Sequence, residues 1–224
     1  MKTIVFDTST IITIVTNNLL GLLKSLKERF GGEYYIPKAV EYELVDKPLE
    51  GKMFKLEAMI VRRAIKTGLI KKYNTEINAE NMLNKINSIY MVKGKSIQLV
   101  SRAEVEALVL AVSLNADAYA VDERTMRLLI EDPERLRNIQ ENKLHMRVTM
   151  NKEFLLEFNK FVKGIKIIRS TELILVAYEL GLLDKYLVDN ISRRELVDAL
   201  LWGLKLRGCS ISEEEIKALI KIES

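Results

Sequence analysis

Thr3-Ile4-Val5-Phe6 is a short β-branched and aromatic run, the pattern of a fully buried strand. Asp7-Thr8-Ser9-Thr10, four residues suited to capping, follow it. Apolar positions then recur at helical spacing to about residue 29, and Gly31-Gly32 breaks the pattern. Tyr34-Tyr35-Ile36 predicts a second strand. Pro37 stands at the favoured first position of a helix over 38–45, ending before Asp46-Lys47-Pro48. Two amphipathic helices are expected over about 52–67 and 78–90. Residues 101–114 give the clearest helix: Ser101 and Glu104 form a capping box, and apolar residues surround most of its circumference, so it is buried between other elements. Residues 118–121 read as another buried strand, ended by Asp122-Glu123. Residues 124–163 read as helical with a break at Pro133, and 166–169 as a last strand. The remainder is helical, with capping boxes at Ser192/Glu195 and Ser212/Glu215 and Gly208 as a C-cap.

Strands separated by helices predict an α/β fold: a three-layer α/β/α sandwich with a central, mostly parallel sheet of about five short strands. Residues 1–170 make up that domain with its helical insertions, and 171–224 a helical C-terminal extension packed on it. At 224 residues and 25.7 kDa the chain can bury a core without covalent staples. Mean hydropathy is +0.03 and 29% of residues are charged, an ordinary globular balance.

The single cysteine, Cys209, excludes a disulfide framework and any multi-cysteine zinc site, and reads as a small buried hydrophobe. With His145 the sole histidine, a metal centre would have to be built mainly from oxygen ligands. No run is long and apolar enough to cross a membrane, and Asp7 interrupts the N-terminal apolar stretch. A signal peptide is therefore not expected, and a cytoplasmic location is.

Net charge is only +4, but the basic residues are clustered. Residues 52–72 carry Lys52, Lys55, Arg62, Arg63, Lys66, Lys71 and Lys72 against Glu57, and a second basic stretch runs from Lys143 to Arg169. Such stripes are either solvated helix faces or tracks for phosphates. Arg62, Arg63 and Lys66 are the candidates for nucleic-acid contact.

In an open parallel sheet, ligands bind outside the carboxyl ends of strands near the point where strand order reverses. Asp7 and Asp122 fall at such strand ends, where each could equally be the N-cap of the next helix. Glu43 lies in the helix over 38–45. Glu106 lies in the largely apolar helix 101–114, where a carboxylate is rarely buried unless paired or metal-bound. At about 100° per residue, Glu104 and Glu106 are about 200° apart, so both cannot face one cleft. Glu104 is already used by the capping box, which leaves Glu106 as the expected ligand.

The series Val5-Phe6-Asp7-Thr8-Ser9, then residues 36–44 (IPKAVEYEL), then 103–111 (AEVEALVLA), then 117–127 (DAYAVDERTMR) resembles the PIN-domain nucleases. It is most similar to a prokaryotic branch whose third motif is Gly-Glu-x-Glu-Ala and whose fourth is an apolar strand ending in two acids. The resemblance implies a metal-dependent endoribonuclease holding Mg²⁺ or Mn²⁺, with RNA, single-stranded above all, as partner. By motif position Asp7, Glu43, Glu106 and Asp122 would be the acidic quartet that serves as both catalytic and metal-binding group, with Ser9, Glu123 and Arg127 in support. A homodimer is carried over from the family. Many relatives are shorter toxins neutralised by an antitoxin, and the longer segments 46–100 and 128–165 set this chain apart from that toxin-antitoxin role. Two departures are Ala120, where a small or hydroxyl residue often precedes the fourth aspartate, and Arg102-Ala103 in place of the third-motif glycine.

Among rival chemistries, a dehalogenase-type phosphatase would need an aspartate where Ser9 stands. Dinucleotide and phosphate-loop folds would need glycine-rich turns that the chain lacks. The rival of a different class is a PIN-like module that binds RNA or protein without cutting, its acids serving as caps and helix charges. A third reading takes Trp202 with Leu200, Leu201 and Leu204 as a docking stripe instead of ordinary core.

Overall fold

The computed structural model describes residues 2–74, 77–188 and 190–223. In chain order its first half runs β1 (Lys2–Phe6), α1 (Thr8–Thr16), α2 (Leu22–Phe30), β2 (Gly32–Ile36), α3 (Lys38–Glu41), a π-helical turn (Tyr42–Asp46), α4 (Lys47–Glu50), α5 (Lys55–Lys66), β3 (Lys71–Lys72), α6 (Glu80–Ile86), β4 (Tyr90–Val92) and β5 (Lys95–Ser96). The second half runs α7 (Arg102–Ser113), β6 (Ala118–Ala120), α8 (Arg124–Glu131), α9 (Pro133–Leu144), β7 (Val148–Met150), α10 (Lys152–Phe161), β8 (Ile167–Ile168), α11 (Ser170–Glu179), a 3₁₀ turn (Asp184–Tyr186), α12 (Arg193–Leu206) and α13 (Glu213–Glu223).

Five strands form a parallel sheet in the order β3-β2-β1-β6-β8, flanked by helices, as the alternation of strands and helices predicts. The chain leaves β1 toward β2 and β3, then returns to build β6 and β8 on the other side. Strand order therefore reverses between β1 and β6, and the crevice outside their carboxyl ends is the natural ligand site. Both strands are fully sequestered at their ends: Val5, Phe6, Tyr119 and Ala120 have no exposure. The Phe6 and Tyr34 rings meet edge to face at 5.3 Å. Glycine opens β2 because a Cβ at Gly32 would lie 2.6 Å from the Lys2 carbonyl oxygen of its paired strand.

Several expectations are revised in detail. The helical pattern from residue 8 to 29 is two helices, because the chain turns at Asn18 with φ of 57°. The helix over 38–45 does not stop before Pro48; it widens into the π turn and continues as α4 with Pro48 in the first turn. Proline has no N–H to donate, and a wider turn spares the hydrogen bond that it would otherwise forfeit. The stretch 78–90 is a shorter helix leading into β4. A second, antiparallel sheet, β5-β4-β7, adds to the single sheet expected. Its hairpin turns at Lys93 and Gly94, both at positive φ as a tight two-residue loop requires.

The core is continuous through the C-terminal helices. Leu196, Val197, Leu201, Leu204, Ile211 and Ile216 belong to the same buried cluster as Val5 and Phe6. Cys209 is buried with them. The capping boxes at Ser101/Glu104 and Ser192/Glu195 each form both reciprocal bonds. So does Ser212/Glu215, at 2.8 and 3.1 Å. Among the described residues, no helix is long and apolar enough to cross a membrane.

Candidate active site

Asp7 ends β1 and caps α1, its extended backbone turning the side chain onto the first turn of the helix. The residue is 1% exposed. Its Oδ2 accepts from the Ser9 hydroxyl at 2.7 Å and from the Ser9 backbone N–H at 3.3 Å, while its Oδ1 is buried with no hydrogen-bond partner. Burial pushes the Asp7 carboxyl up to about 6, the Ser9 bonds oppose the shift, and the Glu43 charge adds to it.

Ser9 ties the two strand ends together. Its Oγ also accepts the backbone N–H groups of Asp122 at 3.0 Å and Glu123 at 3.2 Å. The Asp7 N–H in turn donates to the Ala120 carbonyl at 2.9 Å. The short hydroxyl side chain at the third residue after the strand thus fixes the spacing of β1 and β6 where strand order reverses.

Glu43 comes in from the π turn. Its Oε2 accepts from the Thr8 hydroxyl at 2.7 Å, which draws it to the start of α1 beside Asp7. Thr8 belongs to the first motif without being one of its acids, and its hydroxyl is what joins the first motif to the second.

The two acids of helix α7 have different neighbours. Glu106 is 5% exposed, with Oε1 accepting from the Arg102 guanidinium at 2.7 Å and Oε2 from the Ala39 backbone N–H at 3.3 Å. It caps the N-terminus of α3, the segment that leads to Glu43, and both of its oxygens are taken. Glu104 is the acid of α7 on which the Asp7 charge acts. Burial raises its carboxyl to about 7, with the charges of Asp7 and Glu123 adding to the shift. Buried Tyr119 lies within reach of the charges of Asp7, Glu104 and Glu123 together, and its hydroxyl donates to the Glu104 carbonyl at 3.3 Å. The capping bond uses only Glu104 Oε2, at 2.7 Å from the Ser101 N–H.

Asp122 lies at the reversal point but its carboxylate faces α11. Oδ1 accepts the Ser170 N–H at 2.7 Å and Oδ2 the Ser170 hydroxyl at 2.6 Å, with the residue fully buried. Glu123 caps α8 through Oε2 and the Met126 N–H at 2.9 Å. Arg127 sits between Glu131 at 3.2 Å and the Ser210 carbonyl at 3.5 Å.

The quartet Asp7, Glu43, Glu106 and Asp122 is therefore not assembled as such. Asp7 feels the charge of Glu43, and Glu104 feels those of Asp7 and Glu123, while Glu106 and Asp122 are engaged in structural bonds. Among the described residues, no group of three or more acidic, histidine or cysteine side chains is gathered tightly enough to hold an ion. Arg63 and Lys66 lie in the last turn of α5. Arg63 lines a cleft of about 710 Å³ with Lys24 and Gly68, residues that precede β2 and β3. Neither Asp7 nor Glu43 lines that cleft, and Arg62, Arg63 and Lys66 are exposed on α5.

A family model, DUF3368, described as a PIN domain, matches residues 3–132. No curated protein and no solved structure matches the chain.

Proposed function

The chain belongs to the PIN-domain family, and on that premise we propose that it is a divalent-metal-dependent endoribonuclease acting on single-stranded RNA. PIN domains are generally nucleases and typically use divalent metals. One observation carries the reading: the buried Oδ1 of Asp7 has no donor, and the charges beside it are those of other acids. A carboxylate so placed is tolerable only when protonated or when a cation compensates it. Oxygen ligands without histidine or cysteine suit a hard cation, so the donor set fits Mg²⁺ or Mn²⁺.

In this reading Asp7 offers Oδ1, because Ser9 holds Oδ2. Glu43 and Glu104 each offer Oε1, since Thr8 and the Ser101 cap occupy their second oxygens. Glu104 takes the role expected of Glu106, and Glu123 adds negative charge at the rim. Bound there, the metal would supply an activated water and stabilise the departing oxygen of the phosphodiester. Ser9 holds the Asp7 rotamer, and Asp122, anchored on Ser170, keeps the β6 end in register; both are positioning residues.

A second reading, a module that binds RNA or protein without cutting, is favoured by the absence of a closed ligand cage among the described residues. Incubation of single-stranded RNA with Mn²⁺ separates the two. The nuclease reading expects cleavage by the wild type and its loss in Asp7→Asn and Glu104→Gln. Binding with no cleavage by the wild type would favour the module, and equal cleavage by all three proteins would overturn the proposed site.

A further inference from the structure

A cleft of about 790 Å³ opens beside the acidic crevice, between α8 and the loop that joins α12 to α13. Its charged lining is Arg124, Arg127, Arg135 and Lys205 against the single acid Glu215. Glu215 is itself held by Arg169 at 3.1 Å. Arg124 follows Glu123 directly. The loop is fastened to the crevice edge by the Ser210 N–H, which donates to the Asp122 carbonyl at 3.1 Å. Lys205 is aimed by its bond to the Ile211 carbonyl at 2.6 Å. Arg127 keeps a buried Nε–H without a partner. Among the described residues, the guanidinium groups of Arg124 and Arg135 form no ion pair, and both residues are exposed.

Arg124 and Arg135, with no ion pair among the described residues, line this concave surface beside Lys205 and the Glu131-paired Arg127, and a cationic cleft of this kind concentrates anions. A phosphate oxyanion is the ligand that matches guanidinium forks in number and geometry. Arg135, Lys205 and the loop over 207–212 lie beyond residue 132, outside the matched PIN segment.

We infer that this cleft, formed jointly by α8, α9 and the C-terminal extension, is a phosphate-binding subsite for the nucleic-acid chain that enters the acidic crevice. The inference rests on the proposed nuclease reading for its substrate, but not for its test. A phosphate here would be either a backbone phosphodiester or a terminal 5′-phosphate, and both present the same oxyanion.

The test is equilibrium binding of a short fluorescent single-stranded RNA in EDTA, where no metal-dependent cleavage occurs. It compares the wild type with Arg124→Ala, Arg135→Ala and the double variant, with circular dichroism confirming the fold of each. The inference expects about tenfold weaker binding for the double variant and a shallower dependence of affinity on salt, by about one unit of slope for each phosphate left unneutralised. Comparison of 5′-phosphorylated with 5′-hydroxyl RNA separates the sources: a difference abolished by the substitutions identifies a terminal phosphate, and no difference identifies the backbone. Unchanged affinity and salt slope in folded variants would overturn the subsite. Tight binding by a wild type that never cuts would sink the nuclease reading alone and leave the subsite standing.

Discussion

Ser170 closes both oxygens of Asp122, its N–H at 2.7 Å on one and its hydroxyl at 2.6 Å on the other. This pair stitches the first turn of α11 to the end of β6 across 48 positions of sequence, and it gives each aspartate oxygen a short hydrogen bond. Ser170→Ala should cost about 1–3 kcal/mol, because a buried carboxylate loses a short bond that nothing else can supply. Urea denaturation measures it, and an unchanged midpoint would contradict the anchoring role.

The two acids of α7 should part company in kinetics. Glu104→Gln is expected to lower RNA cleavage by about 100-fold or more, with folding stability unimpaired. Glu106→Gln should keep most of the activity and lose about 1–2 kcal/mol of stability, as its charge-assisted bonds to Arg102 and the Ala39 N–H weaken. The reverse pattern would restore Glu106 to the site.

The α/β sheet, the strand ends and the α7 cap are legible in sequence because each rests on local pattern: apolar runs, Ser101 with Glu104, Pro133 at a helix start. What escapes is tertiary. Read from the sequence alone, the capping box uses up Glu104, yet a cap consumes one carboxylate oxygen and leaves the other. Nothing near Asp122 in sequence announces Ser170. The strands β3 and β5 hold two residues each, too few for an alternating pattern, and Lys93-Gly94 is the only local sign of the second sheet. Motif order places Glu43, whereas the hydroxyl that draws it to Asp7 belongs to Thr8, 35 residues earlier.

Asp7 makes the metal-free protein sensitive to pH. Its carboxyl is raised from 3.8 to about 6 on folding, so the native state holds the proton more tightly than the unfolded chain. That contribution is complete below about pH 4 and is lost as pH rises through about 6, a cost of up to about 3 kcal/mol at neutral pH. Asp7→Asn should therefore be more stable than the metal-free wild type at pH 7.5, with the gap closing toward pH 4. Mn²⁺ should close it at pH 7.5 by stabilising the wild type alone. Parallel stability curves for the two proteins across this range would contradict the assignment.

Cys209 should be inert in the folded protein. Burial, with the Asp122 charge adding, pushes its thiol up to about 12, so almost no thiolate exists at pH 8. Iodoacetamide at that pH is expected to label it only after denaturation; rapid labelling of the native chain would show that the loop carrying it opens.

The most direct measurement is an anomalous difference map from crystals soaked in Mn²⁺. The account predicts a peak against Asp7 Oδ1, within ligand reach of Glu43 and Glu104, absent from crystals of Asp7→Asn. A peak shared by Glu106 and Asp122, or a soaked crystal with none at Asp7, would contradict it.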